Sequence, residues 1–330
     1  MKIQLNPVLA RELRQRMRGP RSSIVLTLYL FLLSAAVWLL YEAASQSAEN
    51  SGSPDVEQIA ALGRSVFQTL LFVILLLVCF IVPGQTAGAI AGERERQTLV
   101  PLQVTILRSR SILFGKLLAS LAFVVLLIVA SVPLVGVAFM LGGVEPLEVL
   151  RATLMVLIVA TAIAAVSLLS STVMRRTQGA TVLSYALVLA LTAGTFVLFG
   201  AQAMLSRGEN VENQAVLQVN PFMAVASVLD SRADEVSGSV SPFSSMQSLI
   251  EQRNRTEVRG VGQMAARVGP DGFEERIDGE VQRARVEERE RRGTLNGVPF
   301  ELFALLGYAG MIAGSLALAT RVLHVPRVAP

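Results

Sequence analysis

Long apolar runs alternate with polar segments along this chain. Ser22–Tyr41, Val66–Ala91, Ile112–Leu141, Ala152–Met174, Gly179–Leu205 and Val298–Ala319 are almost free of Asp, Glu, Lys and Arg. Each run reaches or exceeds the ~20 residues an α-helix needs to cross ~30 Å of hydrocarbon. The pattern predicts an all-α polytopic membrane protein with six transmembrane helices. Val66–Ala91 would rise ~39 Å, so it must tilt, bend at Pro83 or project from the bilayer. Ile112–Leu141 is overlong as well, with Pro133 as its expected kink. Trp38 and Tyr41 close the first run as interfacial aromatics.

The polar segments divide the chain into four parts. In residues 1–21, Leu5, Leu9, Leu13 and Met17 share one helical face and Arg11, Arg14 and Arg18 another. Asn6 can cap this helix, Pro7 suits its first position and Gly19-Pro20 ends it. It reads as an amphipathic helix lying on the membrane, with anionic lipid as its partner. Residues 22–205 hold five spans, joined by a polar connection Glu42–Arg64, a charged block from Gly92, a turn Gly142–Leu150 and a second turn at Arg175-Arg176. Residues 206–297 form one large polar loop with twelve Arg and fifteen acidic residues. Its apolar stretch Asn220–Val225 is expected to dip into the interface, and Phe273–Arg292 to form a solvated, salt-bridged helix. Its opposite charges cancel and no aromatics interleave with the basic residues, so no nucleic acid is expected as a partner. Residues 298–330 bring the sixth span and a short tail.

Basic residues orient the spans. Six Lys or Arg precede the first span, five lie from Arg94 to Lys116, two at Arg175-Arg176 and two in the tail. The two short loops on the opposite side hold only Arg64 and Arg151. Long loops translocate regardless of charge, so 206–297 does not count. The bias places both termini and the charged block in the cytosol, and 206–297 outside. Lys116, one turn into its span, is expected to snorkel back to the surface.

Composition agrees with this picture and narrows the chemistry. The chain has 330 residues, 52% hydrophobic and 16% charged, where soluble domains carry roughly 25% charged residues. Cys79 and His324 stand alone, which excludes an internal disulfide, a Cys-based metal site and a His cluster. Gly115-Lys116 is not a phosphate loop, because Arg110 and Leu117 occupy positions that require Gly and Ser or Thr. No catalytic residues, cofactor or metal are expected on this chain. Intramembrane carboxylates, the usual mark of ion coupling, are missing from the runs, apart from Glu301 at the edge of the last. Span polar residues such as Gln68, Thr69, Thr161, Ser167, Ser170, Ser171, Ser184, Tyr185, Thr192 and Thr195 read as helix–helix hydrogen bonds, and any substrate they meet would be apolar or amphipathic. Gly84, Gly88 and Gly92 form a small-residue stripe that admits a close helix, from this chain or from a second copy.

Ala91-Gly-Glu-Arg-Glu-Arg-Gln-Thr-Leu99 and Val104-Thr-Ile-Leu-Arg-Ser-Arg-Ser-Ile-Leu-Phe-Gly-Lys116 resemble the ABC-2 type transporter permease family. Members carry Glu-Arg-Glu-x-x-Thr-Leu after span two and Gly-Lys at the start of span three. The Asn6-Pro7-Val8-Leu9-x-x-Glu12-Leu13 start and Asn220-Pro221-Phe222 are similar to bacterial members. The resemblance implies the membrane subunit of an ABC exporter in the bacterial inner membrane. A second permease chain, identical or not, would complete the path, and a separate ABC ATPase subunit would hold ATP and Mg. A coupling helix over 92–104 would dock on that ATPase through Glu93, Arg94, Glu95, Arg96 and Thr98. The family often has Gly where this chain has Gln97 and Pro where it has Ile106, and here Pro101 comes earlier. The end of the coupling helix is therefore expected to be shaped differently.

A second reading needs no transport: a membrane receptor or scaffold whose outer loop binds a partner. The charged block would then be a turn that only fixes topology. The two readings differ in whether function depends on the cytosolic block or on 206–297.

Overall fold

A computed structural model of the chain describes residues 20–51, 56–97, 109–205, 219–229, 243, 294–295 and 298–324. The expected helix over Leu5–Arg18, Thr98, most of 206–297 including Phe273–Arg292, and the tail from residue 325 lie outside the described residues.

Nine helices are described. They are α1 Pro20–Ser51, α2 Val56–Thr86, α3 Gly88–Glu95, α4 Ser109–Leu141, α5 Pro146–Val173, α6 Thr177–Leu189, α7 Thr195–Leu205, α8 Pro221–Ala226 and α9 Phe300–His324. A π-turn, Ala190–Gly194, joins α6 to α7. Before α9, Thr294 pairs antiparallel with Pro299 and Leu295 with Val298. Among the described residues, six stretches are long and apolar enough to cross a membrane: Ser22–Glu42, Ile59–Glu95, Ser111–Leu141, Pro146–Val173, Thr177–Ala201 and Ala304–Leu323.

The bundle is built around α2 and α5. Each buries 61% of its most apolar stretch, against 11–22% in the other four spans. The reason for α5 is side-chain size. Ala152, Ala160, Ala162, Ala164, Ala165, Ser167, Ser170 and Ser171 are all buried, and small residues let neighbouring backbones approach closely where lipid offers no hydrophobic drive. Helices α2, α4, α6 and α9 all pack on α5, and α1 packs on α2 and α4. Leu70, Leu75 and Val78 of α2, Leu113 and Leu127 of α4, Ile163 and Leu168 of α5 and Tyr308 of α9 fill the centre. Ile24, Leu28, Phe31, Phe114, Val129, Val182 and Leu306 face outward, as lipid-facing positions do.

Several boundaries differ from those expected. Glu42–Arg64 is not a loop. Helix α1 continues to Ser51 and α2 begins at Val56, because polarity marks where a bilayer ends, while helices stop at residues such as Gly52 and Pro54. Gly142–Leu150 is a turn only in its first part. Pro146 stands in the first turn of α5 and Glu148 favours that positive helix end. The turn itself is made by Gly142 and Gly143, at φ +87° and +79°. Span five is divided by the π-turn, and span six begins after the short strand pair. Helix α3 ends at Glu95, with turn residues Arg96 and Gln97 behind it, and the rest of the expected coupling helix 92–104 lies outside the described residues.

Candidate functional site

The Glu93 block sits at the end of one long path. Pro83 lies inside α2 and removes one ladder donor. The chain turns at Ala87, whose N–H donates to the Pro83 carbonyl at 2.8 Å, and α3 carries on. The apolar stretch Ile59–Glu95 thus extends ~55 Å. No side chain of α3 caps its start. Instead Ser171 of α5 reaches across, and its Oγ accepts from the N–H groups of Ile90 and Ala91 at 2.9 and 3.0 Å.

Three consecutive charged residues then bind three different helices. Glu93 Oε1 accepts from Lys116 Nζ of α4 at 2.9 Å. Arg94 donates to the carbonyls of Met174 (2.8 Å) and Thr172 (3.1 Å) at the C-terminal end of α5. Glu95 accepts from the Thr177 N–H at 2.9 Å and the Thr177 hydroxyl at 2.5 Å at the start of α6. The alternating signs match these destinations. A carboxylate meets an ammonium, a guanidinium meets the negative end of a helix, and a carboxylate meets the positive end of the next.

This arrangement changes one expectation. Lys116 does not snorkel out. It is 1% exposed, because α4 packs back along α2 and brings Lys116 beside Glu93. Glu93, Arg94 and Glu95 are bonded within the chain, while Arg96 and Gln97 end the block exposed, and Arg175 and Arg176 before α6 are exposed as well. Gln97 adopts φ +57°, and its N–H donates to the Arg94 carbonyl at 3.1 Å. That is the left-handed helix stop usually made by Gly. Thr98 lies outside the described residues.

The glycine stripe faces α6 of the same chain. A Cβ on Gly84 would stand 2.9 Å from Tyr185 Oη, and one on Gly88 3.2 Å from Thr177 Cγ2. Gly92 is looser, 3.7 Å from Thr177 Oγ1. Tyr185 Oη donates to the Phe80 carbonyl at 2.8 Å. Most other polar residues of the spans bond within their own helix: Thr161 to Leu157, Ser170 to Val166, Ser184 to Ala180 and Thr192 to Val188 carbonyls. Gln68 Nε2, Thr69 Oγ1 and Ser167 Oγ are buried without a hydrogen-bond partner among the described residues.

Two features at the other end of α2 had only weak sequence signals. Arg64 Nη2 donates to Glu148 Oε1 of α5 at 3.1 Å, and both side chains are buried. In sequence Arg64 reads as a topology charge, and Glu148 falls in the expected turn Gly142–Leu150 rather than in the helix of a span. Beside the pair, a Cβ on Gly143 would overlap the Ala60 carbonyl, and one on Gly63 the Gly142 carbonyl. The apolar stretch from the long loop is the second feature. It is not an exposed surface segment: Pro221–Ala226 is a helix whose residues are all buried in the bundle. Among the described residues no group of His, Cys, Asp or Glu could hold a metal ion.

A family model described as ABC-2 family transporter protein matches residues 7–261, well over half of the chain. No curated protein matches it.

Proposed function

This chain belongs to the ABC-2 transporter family, and from that premise we propose that it is the membrane subunit of an ATP-driven exporter. It is a multi-pass membrane protein, with six candidate spans among the described residues. The family is the transmembrane component of its transporter and is not itself an ATPase, so it implies an ATPase partner. In our reading the chain lies in the bacterial inner membrane with both termini in the cytosol, and it pairs with a second permease chain. Together they form a path for an apolar or amphipathic substrate. ATP and Mg belong to the partner ATPase, which docks at the turn Arg96–Gln97 and its neighbours.

The observation that carries this reading is the triple attachment of the block. Glu93, Arg94 and Glu95 engage α4, the end of α5 and the start of α6. A force applied at Arg96 therefore reaches four spans through four residues of chain. Packed elements with discrete arrangements pass such a push on as a rigid-body shift.

The test separates docking from transmission. Arg96→Glu is expected to weaken co-purification of the ATPase several-fold while membrane insertion stays intact. Glu93→Gln is expected to leave co-purification near normal and to lower transport-coupled ATP hydrolysis. If Arg96→Glu leaves both assembly and ATPase stimulation unchanged, the docking assignment is wrong.

A further inference from the structure

Helix α2 is packed near its middle, where the Phe72 ring lies 5.0 Å from that of Phe222, and the Glu93 block stands beyond its far end. Between the two, the helical path is broken twice, and a different neighbouring helix reaches into each break. The first break is Pro83. Proline brings no N–H, so the Cys79 carbonyl four residues back receives no ladder donor. The second is at Ala87, between α2 and α3. The N–H groups of Ile90 and Ala91 donate to Ser171 Oγ of α5 at 2.9 and 3.0 Å, where an unbroken helix would aim them at the carbonyls of Thr86 and Ala87. A side chain inserted into the ladder is a recognised cause of a bend.

Tyr185 of α6 stands at the first break. Its hydroxyl donates to the Phe80 carbonyl at 2.8 Å, next in the chain to that of Cys79, and its ring lies 6.5 Å from the Phe80 ring. A carbonyl oxygen has two lone pairs, so it accepts the phenol as well as a helix donor. Gly84 makes the room, because a Cβ there would stand 2.9 Å from Tyr185 Oη. The neighbouring Thr181 and Ser184 instead donate to carbonyls of their own helix, those of Thr177 and Ala180.

We propose that Tyr185 is the positioning residue of the joint between α2 and α3. Its hydroxyl ties α2 to α6 just before the joint, and Ser171 ties α3 to α5 just after it. Held from two sides, α2 and α3 turn as one body, and the Glu93 block keeps its heading relative to span two. Without the Tyr185 tie the joint bends at Pro83, and a displacement of the block is absorbed there instead of passing along span two. What the joint transmits rests on the transporter reading; the brace itself does not.

Distances between spin labels read the brace directly. Full-length protein carrying Cys79→Ala is labelled at Leu76→Cys, an outward-facing position of α2, and at Gln97→Cys, in the exposed turn behind α3. It is measured in nanodiscs after dilution with unlabelled chain, so that only distances within one chain count. The parent is expected to give one narrow distribution. Tyr185→Phe removes the hydroxyl and keeps the ring, and it is expected to raise the share of a second, bent distance about two- to ten-fold, the range set by losing one hydrogen bond. Gly84→Ala displaces the hydroxyl from the other side and is expected to do the same; it serves if Tyr185→Phe fails to fold, judged by gel filtration in detergent. Thr181→Val, one turn earlier on α6, is expected to leave the distribution as in the parent. Unchanged distances in the folded Tyr185→Phe and Gly84→Ala variants overturn the brace, and so does an equal change in Thr181→Val. On unlabelled chains, Tyr185→Phe is expected to keep the ATPase that co-purifies with the parent and to lower its hydrolysis of MgATP. Unchanged hydrolysis beside a bent joint overturns the transmission. A parent chain that brings down no ATPase overturns the transporter reading instead, and the distances still decide the brace.

Discussion

Lys116 and Glu93 form an ion pair at 2.9 Å in which the ammonium is almost completely buried and the carboxylate is about one-quarter exposed. The asymmetry predicts an asymmetric response. Glu93→Ala takes the paired carboxylate from a buried charge, and such losses cost about 3–5 kcal/mol. Lys116→Met leaves a carboxylate that still reaches water and is expected to cost less. The double variant Glu93→Ala/Lys116→Met is expected to regain most of the loss. Thermal unfolding of the purified protein in nanodiscs checks the order of the three. Equal losses in the two single variants would contradict it.

Gln97 holds a left-handed backbone at φ +57°, a conformation that costs a side-chain-bearing residue roughly 1–2 kcal/mol. Gln97→Gly is expected to stabilise the block by about 1 kcal/mol. Gln97→Val, whose branched side chain fits this region worse, is expected to destabilise it. Hydrogen exchange of the amides from Glu93 to Gln97 reads the effect locally. Slower exchange with Gly and faster with Val is the expected pair of results.

Ser171 supplies one oxygen to two backbone donors of α3. Ser171→Ala leaves both N–H groups without that acceptor in a buried setting and is expected to cost about 1–3 kcal/mol. Ser171→Thr keeps the hydroxyl and is expected to lose less, apart from crowding at a fully buried site. Melting temperatures of the two variants give the comparison. The same loss in both would show that space, rather than the hydroxyl, matters at this position.

The spans were legible because their length and lack of charge are demands of the bilayer itself. Helix ends were not. Glu42–Ser51 looks like a loop by polarity, yet nothing before Gly52 and Pro54 stops a helix. The block Glu93–Gln97 was legible as charged, but its bonds were not. Lys116 lies 23 residues from Glu93 in sequence and Thr177 lies 82 from Glu95, so the pairings exist only after the helices dock. Gln97 was visible as a residue standing where the family often has Gly, and its positive φ supplies the physical meaning of that position. The π-turn left no trace, since Ala190–Gly194 reads as ordinary apolar helix. Asn220-Pro221 was visible as a helix start, but the destination of the amide depended on Thr192 and Thr195 being opened toward it.

Arg64 and Glu148 give the long helical path a fixed point. Phe72 stands ~12 Å along the path from Arg64, and Glu95 ~46 Å. For a motion that carries α2 and α3 as one body, a path pinned near one end is a lever. A tilt that carries Glu95 through ~4 Å carries Phe72 through ~1 Å, in the same direction and with about four times the force. That trade suits the two ends. A loosely held turn can travel several ångströms, whereas a close-packed ring contact is broken by a small, strong displacement. In such a motion the buried salt bridge would be the fulcrum, and its rigidity would set how much of the displacement at Glu95 arrives at Phe72.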